Sequence, residues 1–168
     1  IARDMTGKAL ALSRQYPFVV ITGPRQSGKT TLAKTAFPDY RKVSLEDIDN
    51  RMFASQDPRG FISTYPDKTI IDEVQRVPTL LSYLQTHCDD VGKEGMYILT
   101  GSQNMQLMEA VDQSLAGRVG LLHLLPFSKS EMESGGILPQ SIDEKLLCGC
   151  YPRLFDKKIA PDDYYPAY

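Results

Sequence analysis

One run of eight residues has the types and spacing for phosphate chemistry. Gly23-Pro24-Arg25-Gln26-Ser27-Gly28-Lys29-Thr30 sets two glycines around four intervening residues and follows them with a lysine and a hydroxyl. Gly23 and Gly28 permit backbone dihedrals and a close phosphate approach that a side chain would block. The loop's N–H groups can then form an anion nest at the start of a helix. Lys29 would reach the β- and γ-phosphates, and the Thr30 hydroxyl would ligate Mg²⁺. At ordinary residue frequencies such a match arises by chance about once in a hundred chains of this length or less. The pattern therefore points to a nucleotide loop. Arg25, inside it, is suited either to phosphate or partner contact or to solvent.

A loop of this kind needs a metal acid at the end of a buried strand adjacent to the loop strand. Thr69-Ile70-Ile71-Asp72-Glu73 supplies one. Asp72 is expected to hold the metal, and Glu73, one residue on, to polarise a water for in-line attack on the γ-phosphate. The second carboxylate separates reaction classes. A small-molecule kinase brings its own acceptor hydroxyl and needs no such acid, so hydrolysis is favoured over phosphoryl transfer. A third class, a nucleotide-gated interaction switch with negligible turnover, uses the same loop and stays open. Leu99-Thr100-Gly101-Ser102-Gln103-Asn104 ends another apolar run in small polar groups. If that strand lies between the two motif strands, Ser102, or else Gln103, can hydrogen-bond the attacking water or γ-phosphate. Arg118, after Ser114-Leu115-Ala116-Gly117, could neutralise transition-state charge from the same chain or a neighbour's, or lie on the surface.

The elements that must position these residues alternate short apolar runs with amphipathic stretches, an α/β order. Phe18-Val19-Val20-Ile21 reads as a strand buried on both faces of a parallel sheet. A helix is expected over residues 29–37, ended by Pro38, and a weaker strand over 41–45. Helical pieces are expected at 48–54 and 58–65, strands at 69–71, 97–100 and 120–125, and helices at 79–88 and 142–148. Residues 4–15 suit a short helix capped by Asp4 or Thr6. Gly135-Gly136 and Pro139 mark a linker, which divides the chain into a nucleotide-binding portion, 1–134, and the start of a truncated C-terminal region, 135–168.

Composition narrows the class. The net charge of −2 and a pI near 5.7 exclude a whole-chain electrostatic binder of nucleic acid or anionic lipid. The charge is unevenly spread: residues 1–42 hold eight Lys/Arg against two Asp/Glu, leaving −8 on the remainder. The basic first third is partly the phosphate site and gives only weak support for nucleic acid. Cys88, Cys148 and Cys150 are an odd number in a chain with no apolar leader and no membrane-length apolar run, so buried free thiols and a cytoplasmic setting are expected. His87 and His123 read as structural. Met105, Leu107 and Met108 read as a packing stripe. Tyr164, Tyr165 and Tyr168 read as aromatic surface that packs against something outside this chain.

Taken together, the motifs resemble a broad prokaryotic family of AAA-like P-loop ATPases in which this domain precedes a C-terminal domain of unknown function. The resemblance rests on Thr22–Leu32, Leu45-Glu46, Asp57-Pro58, Ile70–Gln75 with Pro78, Leu99–Gln103, Ser114–Arg118, and Leu125–Ser128 with Glu131. Gly149-Cys150-Tyr151-Pro152 is similar to the family's Gly-Gly-Tyr-Pro element, with Cys150 in place of a glycine. The resemblance implies a three-layer P-loop fold, with a parallel five-stranded sheet flanked by helices and the loop strand central. It makes Gly23, Pro24, Arg25, Gln26, Ser27, Gly28, Lys29, Thr30 and Thr31 the ATP-binding loop, Asp72 and Glu73 the metal and water acids, Ser102 or Gln103 the sensor, and Arg118 the γ-phosphate arginine. ATP and Mg²⁺ are the implied ligands. A homo-oligomer or a protein partner reached through the C-terminal region is the implied assembly, and the 168 residues are expected to be a fragment.

Overall fold

In a computed structural model, which describes residues 1–102 and 105–167, helices and strands alternate along the chain. They run α1 (Thr6–Ser13), β1 (Phe18–Thr22), α2 (Lys29–Ala36), β2 (Arg41–Ser44), α3 (Ile48–Gln56), α4 (Pro58–Thr64) and β3 (Thr69–Asp72). After a 3-10 turn at Val74–Arg76 come α5 (Leu80–Val91), β4 (Tyr97–Thr100), α6 (Met105–Leu115) and β5 (Val119–His123). The short helices α7 (Lys129–Ser134), α8 (Ile142–Cys148), α9 (Pro152–Lys157) and α10 (Pro161–Tyr164) complete the described chain.

The five strands form one parallel sheet in the order β2-β3-β4-β1-β5. The loop strand β1 is interior, but β4 holds the centre. The acid strand β3 is therefore not adjacent to β1, because β4 lies between them. Every residue of β1, β3 and β4 is buried, as expected of strands covered on both faces by crossover helices. Each face has its own apolar layer. Val20, Ile71 and Leu99 pack with Phe61, Leu80, Leu81 and Leu84 on one side. Val19, Ile21, Ile70 and Ile98 pack with Leu32, Ala33 and Phe37 on the other.

Residues of opposite sequence parity thus serve opposite layers, which is why the strands read as unbroken apolar runs. Boundaries shift by one to three residues from the sequence reading, except at β4 and α8, where they coincide. The expected cap of α1 is a correction. Met5 takes the N-cap position without a side-chain bond. Asp4 instead accepts hydrogen bonds from the Ser128 and Ser130 hydroxyls, 3.1 Å each. Among the described residues no helix is long and apolar enough to cross a membrane.

Candidate functional site

Because all strands are parallel, the carboxyl ends of β1, β3 and β4 come out on one edge, bringing Thr22, Asp72 and Thr100 together. The chain leaves β1 through Gly23, whose φ is +147°, and turns into α2 through Gly28, whose φ is +92°. A Cβ at Gly23 would stand 2.1 Å from the Leu124 carbonyl oxygen. Only glycine fits there. Leu124 in turn donates its N–H to the Thr22 carbonyl at 2.8 Å, tying the loop entry to the chain beyond β5. Lys29, the first residue of α2, is buried and donates to the carbonyls of Gly23 (3.1 Å) and Pro24 (2.6 Å). Those bonds hold its ammonium in the cup of the loop. Burial pushes its pKa down and the charge of Arg25 does the same, while Glu73 and Asp72 oppose them.

The two motifs meet directly. Thr30 donates its hydroxyl to Asp72 Oδ1 at 2.8 Å, and Thr100 at the end of β4 donates to the same oxygen. Lys42 of β2 places Nζ 3.0 Å from Asp72 Oδ2. Burial alone would raise the Asp72 carboxyl, but the hydrogen bonds from Thr100, Thr30 and Lys42, with the Lys42 charge, hold it below the usual carboxylate range. The chain then turns sharply: Glu73 has a left-handed backbone, φ +59° and ψ +44°. Such a conformation is uncommon for a residue with a side chain and marks a constrained site. The Glu73 carboxylate accepts a bond from the Gln75 amide.

Among the described residues no three His, Cys, Asp or Glu side chains cluster to hold a metal. A cation here would draw on the Thr30 hydroxyl and the Asp72 carboxylate and take its remaining ligands from phosphate and water. That all-oxygen, ligand-poor set suits Mg²⁺, which keeps much of its water shell.

The expected residues divide by position. Lys29, Thr30, Asp72 and Glu73 converge, and Ser102 lies at the same edge, two residues past β4 and partly buried. Thr31 is exposed on α2, and Gln103 lies outside the described residues. Arg118 is not brought to the loop. It sits just before β5, and its carbonyl accepts from Phe18 N–H at the start of β1. The five residues of β5 put it at the opposite edge of the sheet, roughly 16 Å away along the strands. There it makes a two-pronged ion pair with Asp89, 2.6 and 3.1 Å.

Lys42, Arg3 and Tyr164 carry no site signal in the sequence, and Thr100 sits in the polar cluster closing β4 whose expected site members are Ser102 and Gln103. Arg3 is nearly buried. It bonds Glu131 Oε1 (2.9 Å), the Ser27 carbonyl in the loop (2.8 Å) and the Leu125 carbonyl (2.7 Å), and its guanidinium lies 5.0 Å from the Phe127 ring centre. Tyr164 is buried and donates its hydroxyl to Gln26 Oε1 of the loop at 2.8 Å. The reading of Tyr164 as packing against something outside this chain is therefore corrected: the phosphate loop itself receives it. Cys88 is buried, whereas Cys148 is partly buried and Cys150 exposed, so only the first thiol sits in the core.

A parallel sheet of this order, with a glycine-bounded loop opening a helix and an acid pair two strands away, defines a P-loop nucleoside-triphosphatase fold of AAA type. Residues 15–133 match the AAA domain family, and the chain belongs to it. Uncharacterized proteins of Mycobacterium tuberculosis and Mycobacterium bovis are each 32% identical over 124 residues, covering 73% of this chain. The chain spans only 28% of the length of either relative. The fold is similar to that of AMPPCP-bound DnaA from Aquifex aeolicus, with a TM-score of 0.62 and 19% identity over 92% of this chain and 57% of that one. It is also similar to a Walker-type ATPase of Pyrococcus abyssi, with a TM-score of 0.59 and 15% identity over 90% of this chain and 64% of that one. The Holliday junction branch migration motor RuvB of Thermotoga maritima gives 0.53 and 19%, covering 80% and 49%.

Proposed function

We propose that this chain binds ATP with Mg²⁺ on the Gly23–Thr31 loop and hydrolyses it. The observation that carries the reading is the 2.8 Å bond between Thr30 and Asp72, which joins two motifs that lie 42 residues apart in sequence. In this reading the loop N–H groups and Lys29 bind and orient the β- and γ-phosphates. Thr30 and Asp72 hold the cation, whose chemistry is to neutralise charge on the phosphate oxygens. Glu73, on its constrained backbone, takes the proton of a water aligned with the γ-phosphate. Ser102 orients that water or the phosphate.

Arg118 sits at the far edge of the sheet, paired with Asp89, which favours a role outside the loop of its own chain. Its proposed role is on the nucleotide of a neighbouring copy, with Asp89 holding it until assembly. The bond between Gln75 and Glu73 favours one alternative, the interaction switch, because occupancy at Glu73 would be passed to the Val74–Arg76 turn. Two measurements test these readings, the first their shared site and the second the difference between them. Lys29→Ala is expected to abolish binding of a fluorescent ATP analogue, and retained affinity would sink the site. Glu73→Gln is expected to keep binding and lose phosphate release. An unchanged hydrolysis rate would remove Glu73 from the chemistry, and absence of turnover in the unaltered chain would leave the switch.

A further inference from the structure

Lys42 lies on the edge strand β2, where a lysine ordinarily serves to discourage strand addition and keeps its charge in water. Here the charge is spent elsewhere. β2 pairs with β3 in the register Lys42↔Ile70 and Ser44↔Asp72. Val43 faces one apolar layer and Ile70 the other, so Lys42 shares the sheet face of Ile70 and Asp72. Its side chain is 28% exposed, and its ammonium rests 3.0 Å from Asp72 Oδ2. Thr30 and Thr100 take the other oxygen of the same carboxylate. Both oxygens of the metal acid are thus engaged from within the chain, one of them by a full positive charge.

We propose that Lys42 is a built-in counter-ion that competes with the divalent cation for Asp72. A second cation beside Thr30 and Asp72 must either displace the ammonium or bear its repulsion at close range. Free metal is thereby held off the acid. A cation arriving with a nucleotide brings phosphate charge to offset the repulsion, so metal occupancy is coupled to the nucleotide that carries it. This inference rests on the metal-acid role given to Asp72 above, but its test does not require turnover.

The probe is Mn²⁺, with the free ion followed by electron paramagnetic resonance. It is titrated into the purified chain with and without a non-hydrolysable ATP analogue, comparing the unaltered protein, Lys42→Met, Lys42→Arg and the double variant Lys42→Met/Asp72→Asn. Methionine keeps the aliphatic stem on the edge strand and removes the charge. Without nucleotide, Lys42→Met is expected to bind Mn²⁺ about fivefold more tightly than the unaltered chain, the upper range for a partly exposed ion pair. With the analogue the gain should shrink to about twofold or less. Lys42→Arg should match the unaltered protein, and the double variant should lose the gain. Affinity in Lys42→Met that is equal, weaker or unmeasurable without nucleotide overturns the proposal, since Lys42 would then be inert or would position Asp72 for the metal. Failure of the analogue to bind the unaltered chain would instead refute nucleotide binding, and the nucleotide-free titration would still decide the role of Lys42.

Discussion

Arg3 offers the sharpest energetic test, because nothing near it in sequence marks it and the structure gives it a dense set of partners. Its side chain is 9% exposed and that of Glu131 is 4% exposed, so the pair is buried. Replacing Arg3 with Met keeps most of the apolar stem but leaves a buried carboxylate with only the backbone donors Asp4 N–H and Ser128 N–H, each at 2.8 Å. Breaking a buried pair on one side costs about 3–5 kcal/mol. With an unfolding entropy of about 2.1 cal/mol/K per residue over 168 residues, the lower figure lowers Tm by roughly 9 °C. The assay is urea unfolding of Arg3→Met, Glu131→Gln and the double variant, with thermal melts alongside. Neutralising Glu131 removes the uncompensated charge, so the double variant should be more stable than the sum of the singles predicts, by about 1 kcal/mol or more. A coupling below about 0.5 kcal/mol, or a cost for Arg3→Met below about 1 kcal/mol, would refute the reading of Arg3 and Glu131 as a coupled, desolvated ion pair.

Three more outcomes follow from single contacts. Gly23→Ala should destabilise by about 2 kcal/mol or more, because a Cβ meets the Leu124 carbonyl and φ is positive; an unfolding free energy from urea within about 0.5 kcal/mol of that of the unaltered chain contradicts it. Asp72 has a folded pKa below its unfolded value, so its contribution to stability is present above the unfolded pKa and is lost as pH falls through the folded one. Unfolding followed from pH 6 towards pH 3 should therefore be shallower for Asp72→Asn than for the unaltered protein, and equal slopes would exclude the effect. Burial, with the charges of Asp89 and Glu94, pushes the Cys88 thiol up to about 12. Ellman's reagent should label Cys150 within seconds and leave Cys88 unlabelled until the chain unfolds; prompt labelling of Cys88 in a Cys148→Ser/Cys150→Ser variant would show that the core around it is open.

The loop motif and the class of fold are legible in the chain read residue by residue. Gly23, Gly28, Lys29 and Thr30 work through their spacing along one continuous stretch, and backbone geometry over eight residues is local enough to read directly. β1, β3 and β4 are legible for a related reason, since a strand covered on both faces leaves an apolar run. Asp72 and Glu73 stand out as acids closing such a run. What the sequence could not fix is which strands are neighbours. Strand order decides that β4 stands between β1 and β3, which makes Thr100, and not only Ser102, part of the site. Parallel register decides that Lys42, on a strand with only one residue fully buried, lies against the Asp72 carboxylate.

Strand direction decides that Arg118, at the start of β5, faces away from the loop at its own end of the sheet, although the residues that follow it run straight towards it. Arg3 and Tyr164 reach the loop from 24 and 138 residues away. Contacts of that kind depend on how the ends of the chain are packed over the sheet, and that packing is a property of the assembled molecule and of no segment read alone.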